Sequence, residues 1–306
     1  MIKFLLSRLL QAVPVLIIVI TATFFIVHAA PGGPFSADKA VPPEVIQALE
    51  AQYKLDQPVW RQYLGYLGDI ARGDFGPSFK YPGRSVNELI MAGLPITAEL
   101  AFYAMIIAIL IGVLSGVGAA MRPNTLQDYV PMTLAMIGIC MPSFLLGPLL
   151  VLVFGIQLEL LPVSGWGDIP GDKILPSITL GTGYAAFIAR LSRGGMLEIL
   201  SQDYIRTAWA KGLPGRLIYW KHSIKNALIP VITILGLQFG NMLAGAVVTE
   251  TVFSRPGIGR LLVNGILWKD YPLVQGTILF VASTYVIVNY LVDITYAYIN
   301  PKIKYK

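Results

Sequence analysis

Residues 1–33 read MIKFLLSRLLQAVPVLIIVITATFFIVHAAPGG, and the fold turns on whether this is a cleaved leader or a retained membrane span. Lys3 and Arg8 supply the basic start of a secretory signal, and the small residues near Ala29 imitate a cleavage site. The apolar run from Leu9 to Val27, however, is longer than the roughly 7–15 residues of a signal core. It is expected to remain in the chain as a first span over residues 9–29.

The rest of the chain agrees with that choice. Of its 306 residues, 55% are hydrophobic and only 13% charged, about half the roughly 25% of a soluble domain. Further apolar stretches lie near 96–120, 130–156, 174–192, 230–251 and 273–297. Each is long enough, at about 1.5 Å per residue, to cross a hydrocarbon core about 30 Å thick. The fourth, ILPSITLGTGYAAFIARL, is the least apolar. The fold class expected is therefore an all-α membrane protein with six transmembrane helices. Cys140, the single cysteine, sits in an apolar run and is expected to be a small buried hydrophobe.

The net charge of +6 reflects topology rather than nucleic-acid binding, because the basic residues flank the spans. They gather at Lys3 and Arg8, at Arg122, along Arg190, Arg193, Arg206, Lys211, Arg216, Lys221 and Lys225, and in the NPKIKYK tail. Placing these sides in the cytosol makes both termini cytosolic, as six spans require. Residues 30–95 are then external, since long loops largely escape the charge rule. Three regions follow: 1–29 with span 1, an external helical subdomain over 30–95, and a core over 96–306 with a cytosolic loop at 193–229. Within the external region, PPEVIQALEAQYKLD and QPVWRQYLGYLGDIARG carry apolar residues at helical spacing, Val45, Leu49 and Tyr53 in one and Val59, Tyr63, Leu67 and Ile70 in the other. They read as two short amphipathic helices that either pack on the spans or offer a docking surface.

Several chemistries are excluded. There is no G-x-x-x-x-G-K-[ST] phosphate loop; GDIPGDKI around Lys173 has the wrong spacing. No dinucleotide fingerprint or H-E-x-x-H occurs, and no Ser/His/Asp set gathers in one region. His28 and His222 fall on opposite sides of the expected membrane and cannot share a metal. The chain is not expected to be an enzyme, and any driving energy must come from a partner chain or an ion gradient.

The cytosolic loop is unusually well organised. In DYIRTAWAKGLP, residues 203–214, Asp203 suits an N-cap, Gly212 a left-handed C′ position, and Pro214 blocks continuation. The helix between them, Tyr204 to Lys211, would be about 12 Å long, too short to stand alone. Ile205, Ala208 and Trp209 make its apolar face. It either rests on lipid headgroups or fits a groove on a cytosolic protein. A second helix, GRLIYWKHSIKNALIP, with Leu217, Ile224 and Leu228 on one side, leads into span 5 at Pro230, so a Leu-Pro-Gly corner would pass movement of the first helix to that span.

These residues carry a resemblance. YIRTAWAKGLPGRLIYWKHSIKNALIPV resembles the EAA-type loop of ABC importer permeases, with the family's central glycine at Gly212 and Ala-Leu-x-Pro at Ala227–Pro230. RLLQAVPVLIIVITATFFIVHAAPGGPF, GDFGPSFKY at 73–81, ETVFSRPGIGRLLVNGI at 250–266 and the NPKIKY ending are similar to the peptide branch of that family. The likeness runs essentially end to end. It implies a type I importer permease fold in a bacterial cytoplasmic (inner) membrane. It also implies that residues Asp203, Tyr204, Ile205, Arg206, Thr207, Ala208, Trp209, Ala210, Lys211, Gly212 and Leu213 dock in a groove of an ATPase subunit. The partners implied are a homologous second permease in a heterodimer, two ATP-binding subunits, and an external (periplasmic) peptide-binding protein that delivers peptide. ATP and Mg would sit on the ATPase subunits, with no cofactor on this chain. The chain departs from the family pattern where Trp209 replaces a commonly basic residue and Arg206-Thr207-Ala208 replaces Glu-Ala-Ala. Docking by shape and apolar contact is therefore the expectation.

Within the spans, Gly112 and Gly116, and Gly236, Gly240 and Ala244, form small-residue stripes suited to close helix contact. They make either permanent contacts or a sliding interface with a partner permease. Polar residues inside spans default to function. Gln238, Asn241, Glu250 and Arg190 are candidate path or gate residues, and Asp293 is expected to pair with Arg190 or Arg193. In FSRPGIGRL, Pro256 and Gly257 mark either an external gate or a plain turn. An ion-coupled secondary transporter and a non-transport membrane scaffold are the other readings.

Overall fold

Inside a hydrocarbon layer every backbone N–H and C=O must be bonded internally, and long apolar runs meet that demand as helices. The computed structural model describes residues 2–35, 43–167 and 169–299, which form helices and no strand. In order these are α1 Ile2–Ala29, α2 Pro43–Gln52, α3 Val59–Ala71, α4 Val86–Met121, α5 Leu126–Cys140, α6 Ser143–Leu150, α7 Ile174–Leu200, α8 Asp203–Ala210, α9 Gly215–Leu217, α10 Ile224–Ala227, α11 Ile229–Val252, α12 Ile258–Leu267 and α13 Tyr271–Ile299. Wider π-helical turns extend α6 over Val151–Gln157 and join α9 to α10 over Ile218–Ser223. Leu10–Ala29, α4, α7, α11 and Tyr271–Val292 are each long and apolar enough to span.

The third span differs from expectation. Instead of one helix over 130–156, α5 and α6 meet at a bend of 109°. Met141 sits at φ −84°, ψ 114°, the extended conformation that a following proline imposes, and Pro142 has no N–H with which to continue α5. Cys140, expected to be buried, is exposed at this break. Two other spans are longer than read: α4 starts at Val86, despite Pro95, and α7 runs on to Leu200.

The chain divides into two compact units, Met1–Ile96 with Pro256–Val286, and Thr97–Arg255 with Ile287–Lys306. In the first, the expected amphipathic helices are present as α2 and α3. Tyr63 of α3 bonds Thr21 of α1 at 2.7 Å, and Phe24 stacks on Tyr66 at 5.7 Å. Asp270, fully buried, accepts from Ser78 Oγ and from the Lys80 N–H, while its other oxygen caps the start of α13 at Leu273 N. One carboxylate thus ties the 73–81 loop to a helix N-terminus, where a negative charge is favoured. α12, a helix the sequence reading had taken for a turn, packs Ile258 into a core with Val86, Leu89, Ile90 and Leu273.

In the second unit α7 is central. Its mean hydropathy is the lowest of the candidate spans, 1.3, and its buried share the highest, 56% against 11% for α1. A helix that faces protein rather than lipid needs small residues more than apolar ones. A Cβ at Gly112 would come within 2.7 Å of Ala185 O, and one at Gly116 would collide with the Ala189 carbonyl and lie 2.8 Å from Ser192 Cβ. The first glycine stripe is therefore an internal α4–α7 contact. Gly236 faces Val292 of α13 in the same close manner. Gly116→Leu is expected to cost about 1–3 kcal/mol by overpacking, read as a lower melting temperature of the purified protein. Gly118→Ala, whose Cβ meets nothing within 4 Å, is the control and should be neutral or slightly stabilising.

Candidate functional site

α8 begins one residue earlier than expected. Gln202 holds the N-cap conformation at φ −72°, ψ 149°, and Asp203 is the first helical residue. Its carboxylate lies 3.4 Å from Arg206 on the exposed surface instead of capping, and as an acid in the first turn it still complements the helix dipole. The C-terminus follows the expected design. Gly212, at φ 70°, donates to Trp209 O at 2.9 Å, and Leu213 N donates to Ala208 O at 3.3 Å. This is a Schellman closure, completed by apolar contact between Leu213 and the inner face of the helix.

That inner face is occupied by the chain itself. Ile205 is fully buried and Ala208 nearly so, packed with Ile218, Ile199, Leu200 and Leu213. Trp209 does not join them: it is 47% exposed, edge-on to Tyr219 at 6.2 Å. Tyr204, 44% exposed, accepts from Asn226 Nδ2 at 3.1 Å. The apolar face expected for docking is thus split. Ile205 and Ala208 anchor α8, and Tyr204 and Trp209 stand outward among exposed Asp203, Arg206, Thr207, Ala210 and Lys211.

The connection to the spans is also different. Ile199 and Leu200 belong to the end of α7, so α8 rests directly on that span as well as reaching α11 through the Leu213–Gly215 corner. Beyond the corner, Ile224 and Leu228 pack half-buried against the core as expected, but Leu217 turns outward, and Ile218, Ser223 and Ala227 are the fully buried residues. The π turn, with Ser223 Oγ donating to Ile218 O at 3.0 Å, shifts the buried face, because a wider turn breaks the 3.6-residue period. Ala227 then sits against Gly195 of α7, where a Cβ would lie 2.6 Å from its carbonyl.

At this end of α7 the ion pair in view joins Arg193 to α5. Arg193 holds Asp128 of α5 bidentately, Nε to Oδ1 and NH2 to Oδ2, both at 2.6 Å. Asn124 N adds a bond of 3.0 Å to Asp128. Arg193 is therefore committed to Asp128, Arg190 is exposed, and the Asp293 side chain lies outside the described residues. Gln238 is buried and Asn241 half-buried, their amides 3.5 Å apart on α11. Glu250 is fully buried and accepts from Thr97 Oγ1 at 2.5 Å. In the first unit, Pro256 is exposed and Gly257, the N-cap of α12, is packed against Gly93 of α4, 3.2 Å from where its Cβ would be.

A polar cluster near the opposite end of the second unit escaped the sequence reading. Lys173 donates to Glu99 Oε1 at 2.5 Å and Trp166 Nε1 to Oε2 at 2.9 Å. The buried Arg255 guanidinium lies 5.1 Å from the Trp166 ring and donates to Asp172 O at 3.2 Å. The Glu99 hydrogen bond holds the Lys173 pKa above the usual lysine range, and burial lowers that of Arg255. The only sequence signal was an acid, Glu99, inside a span. Among the described residues no group of His, Cys, Asp and Glu is placed to hold a metal.

Comparison with known proteins fits this architecture. Residues 108–305 match the family described as binding-protein-dependent transport system inner membrane component, and residues 1–101 match the N-terminal region of such membrane components. The chain is 47% identical over 306 residues to the oligopeptide transport system permease protein OppB of Salmonella typhimurium, covering 100% of both. It is 41% identical over 304 residues to the dipeptide transport system permease protein DppB of Bacillus subtilis, covering 99% of this chain and 98% of that one. Among solved structures, the crystal structure of an amino acid ABC transporter with histidines aligns at a TM-score of 0.53 and 18% identity, over 68% of this chain and 93% of that one. That likeness concerns the fold alone.

Proposed function

This chain belongs to the family of binding-protein-dependent transport system inner membrane components, and from that premise we propose that it forms one membrane-embedded half of an ATP-driven peptide importer. The peptide substrate class is supported by full-length identity to oligopeptide and dipeptide permeases. A homologous second permease completes the path, two ATP-binding subunits carry ATP and Mg, and an external binding protein delivers peptide. The chain lies in a bacterial cytoplasmic membrane with both termini and α8 cytosolic, and with α2 and α3 outside.

The observation that carries this reading is the outward pair Tyr204 and Trp209 on a helix whose inner face is already filled. Aromatic side chains at this exposure are the anchors that protein interfaces use. The docking surface is accordingly Tyr204, Trp209 and the exposed polar residues of Asp203–Gly212, with Ile205 and Ala208 as its base. Closure of the ATPase pair would push α8, and through it both α7 and α11.

Purifying the tagged chain from its membrane is expected to bring an ATP-binding subunit with it, and peptide uptake by the reconstituted complex is expected to stop without ATP. Recovery of a chain that transports peptide alone, driven by an ion gradient, would overturn the proposal.

A further inference from the structure

α3 carries more apolar surface than α1 covers. At about 100° per residue, Tyr63 and Tyr66 fall on one side of the helix and Arg61, Gly65 and Asp69 on the other. Trp60, Leu64 and Leu67 form a shoulder between the two sides. The tyrosine side is closed by α1. Tyr63 bonds Thr21, Gln62 Oε1 lies 3.1 Å from His28 Nε2, and Phe24 packs on Tyr63 and Tyr66 at 5.2 and 5.7 Å. The shoulder is open. Trp60 and Leu64 are each 58% exposed, and the Arg61 guanidinium stands 5.2 Å from the Trp60 ring.

What covers the shoulder follows from where it leads. Phe25 of α1 packs on Tyr63, the tyrosine next to the shoulder, at 5.5 Å and is itself exposed. From Phe25 an exposed strip of Ile18, Ala22 and Ile26 runs down α1. The shoulder of α3 and the open face of a candidate span are therefore one continuous apolar surface. Its depth is set by the α1 contacts. Thr21 to His28 is about 10 Å of helix, and His28 is next to Ala29, where the span ends. α3 thus lies beside the last two turns of the span, and an amphipathic helix in the boundary between headgroups and acyl chains rests about 5–10 Å deep. Trp is enriched at that level, and an arginine beside it can reach the headgroups. A protein docking from the aqueous side would have no need of a surface that continues down the span.

We propose that α3 is an interfacial helix bound to the phospholipid surface at the Ala29 end of α1. Trp60, Leu64 and Leu67 sit among the acyl chains, Arg61 lies at the level of the phosphates, and Gly65 and Asp69 face water. Under the topology proposed above this is the outer leaflet. α3 then acts as a float that holds the end of α1 at a fixed depth, whatever the chain transports.

The test is paramagnetic resonance of a nitroxide placed in turn at Trp60→Cys, Leu64→Cys and Gly65→Cys. The chain carries Cys140→Ala and is held, with its copurifying subunits freed of cysteine, in phospholipid nanodiscs. Leu64 and Gly65 are neighbours in sequence on different faces, and a Cβ at Gly65 has nothing within 4 Å. Oxygen, which concentrates in lipid, and a water-soluble nickel chelate report the surroundings of each label. The ratio of oxygen to nickel accessibility is expected to be at least about fivefold higher at Trp60 and Leu64 than at Gly65, with the Leu64 label about 5–10 Å below the phosphates. A Leu64 label that neither reagent reaches lies under another subunit and overturns the proposal. A Leu64 label reached by nickel as readily as Gly65 stands in water, open to an external protein, and overturns it equally. Oxygen access at all three sites would put α3 inside the hydrocarbon and overturn its interfacial placement.

Discussion

Trp209→Glu is expected to cut ATP-driven peptide uptake at least tenfold while the chain remains in the membrane at its normal level. The indole is 47% exposed, edge-on to Tyr219 with its rim near Gly215, and stands outside the buried cluster of Ile205, Ala208 and Ile218, so its replacement leaves that cluster intact. At a protein interface, loss of an aromatic anchor of this kind costs about 2 kcal/mol or more, roughly a thirtyfold change in affinity. The glutamate adds the cost of desolvating a charge against an apolar groove. Ile205→Ala separates the two faces of the helix. Ile205 is fully buried, so truncation should cost about 2–5 kcal/mol of folding stability and show as reduced chain abundance. Gly212→Val should act between these extremes, because a β-branched residue is strained at φ 70° and the Leu213–Ala208 closure depends on that turn. Uptake and ATPase rates of the reconstituted complex, beside chain abundance, distinguish the three. Normal uptake by Trp209→Glu would remove α8 as the coupling element.

The contrast between those variants also shows what was legible in the sequence. Gly212 and Pro214 announced the end of α8 because backbone conformation at a helix C-terminus is a local matter. Ile205 and Ala208 announced an apolar face, but periodicity could not say what covers it, and the cover is Ile218, Ile199 and Leu200 of the same chain. Trp209 shares the stripe by spacing alone and points outward. The π turn at Ile218–Ser223 broke the period in part: Ile224 and Leu228 still pack on the core, but Leu217 turns outward and Ile218, Ser223 and Ala227 take the fully buried places. The break at Pro142 was readable from the rule for residues before proline, yet the hydrophobicity of 130–156 masked it. α12 was hidden behind the Pro256-Gly257 turn for a different reason: its ten residues are too few to register as a span. Asp128 with Arg193, and Glu99 with Lys173, are separated by 65 and 74 positions. No local pattern joins them, and only the packing of α4, α5 and α7 does.

Asp128→Ala is expected to destabilise the protein by about 3–5 kcal/mol, the usual consequence of removing one partner from a buried ion pair. Asp128 is 1% exposed and receives three hydrogen bonds, two of them from Arg193. Without it, a guanidinium that is largely covered loses its only acidic partner among the described residues. Replacing both residues by apolar ones of similar size, Asp128→Leu with Arg193→Met, should recover most of the loss, because the pair's attraction scarcely exceeds the cost of taking both charges out of water. The double variant therefore also separates holding from switching. If the pair only clamps α5 to α7, a restored melting temperature should bring restored uptake. If α5 must release α7 as α8 is pushed, the double variant should be stable and slow in uptake, with its ATPase rate out of step. Thermal unfolding of the purified complex and uptake per molecule are the measurements. A larger loss of stability from Asp293→Ala than from Asp128→Ala would return the Arg193 pairing to α13 and overturn the assignment to α5.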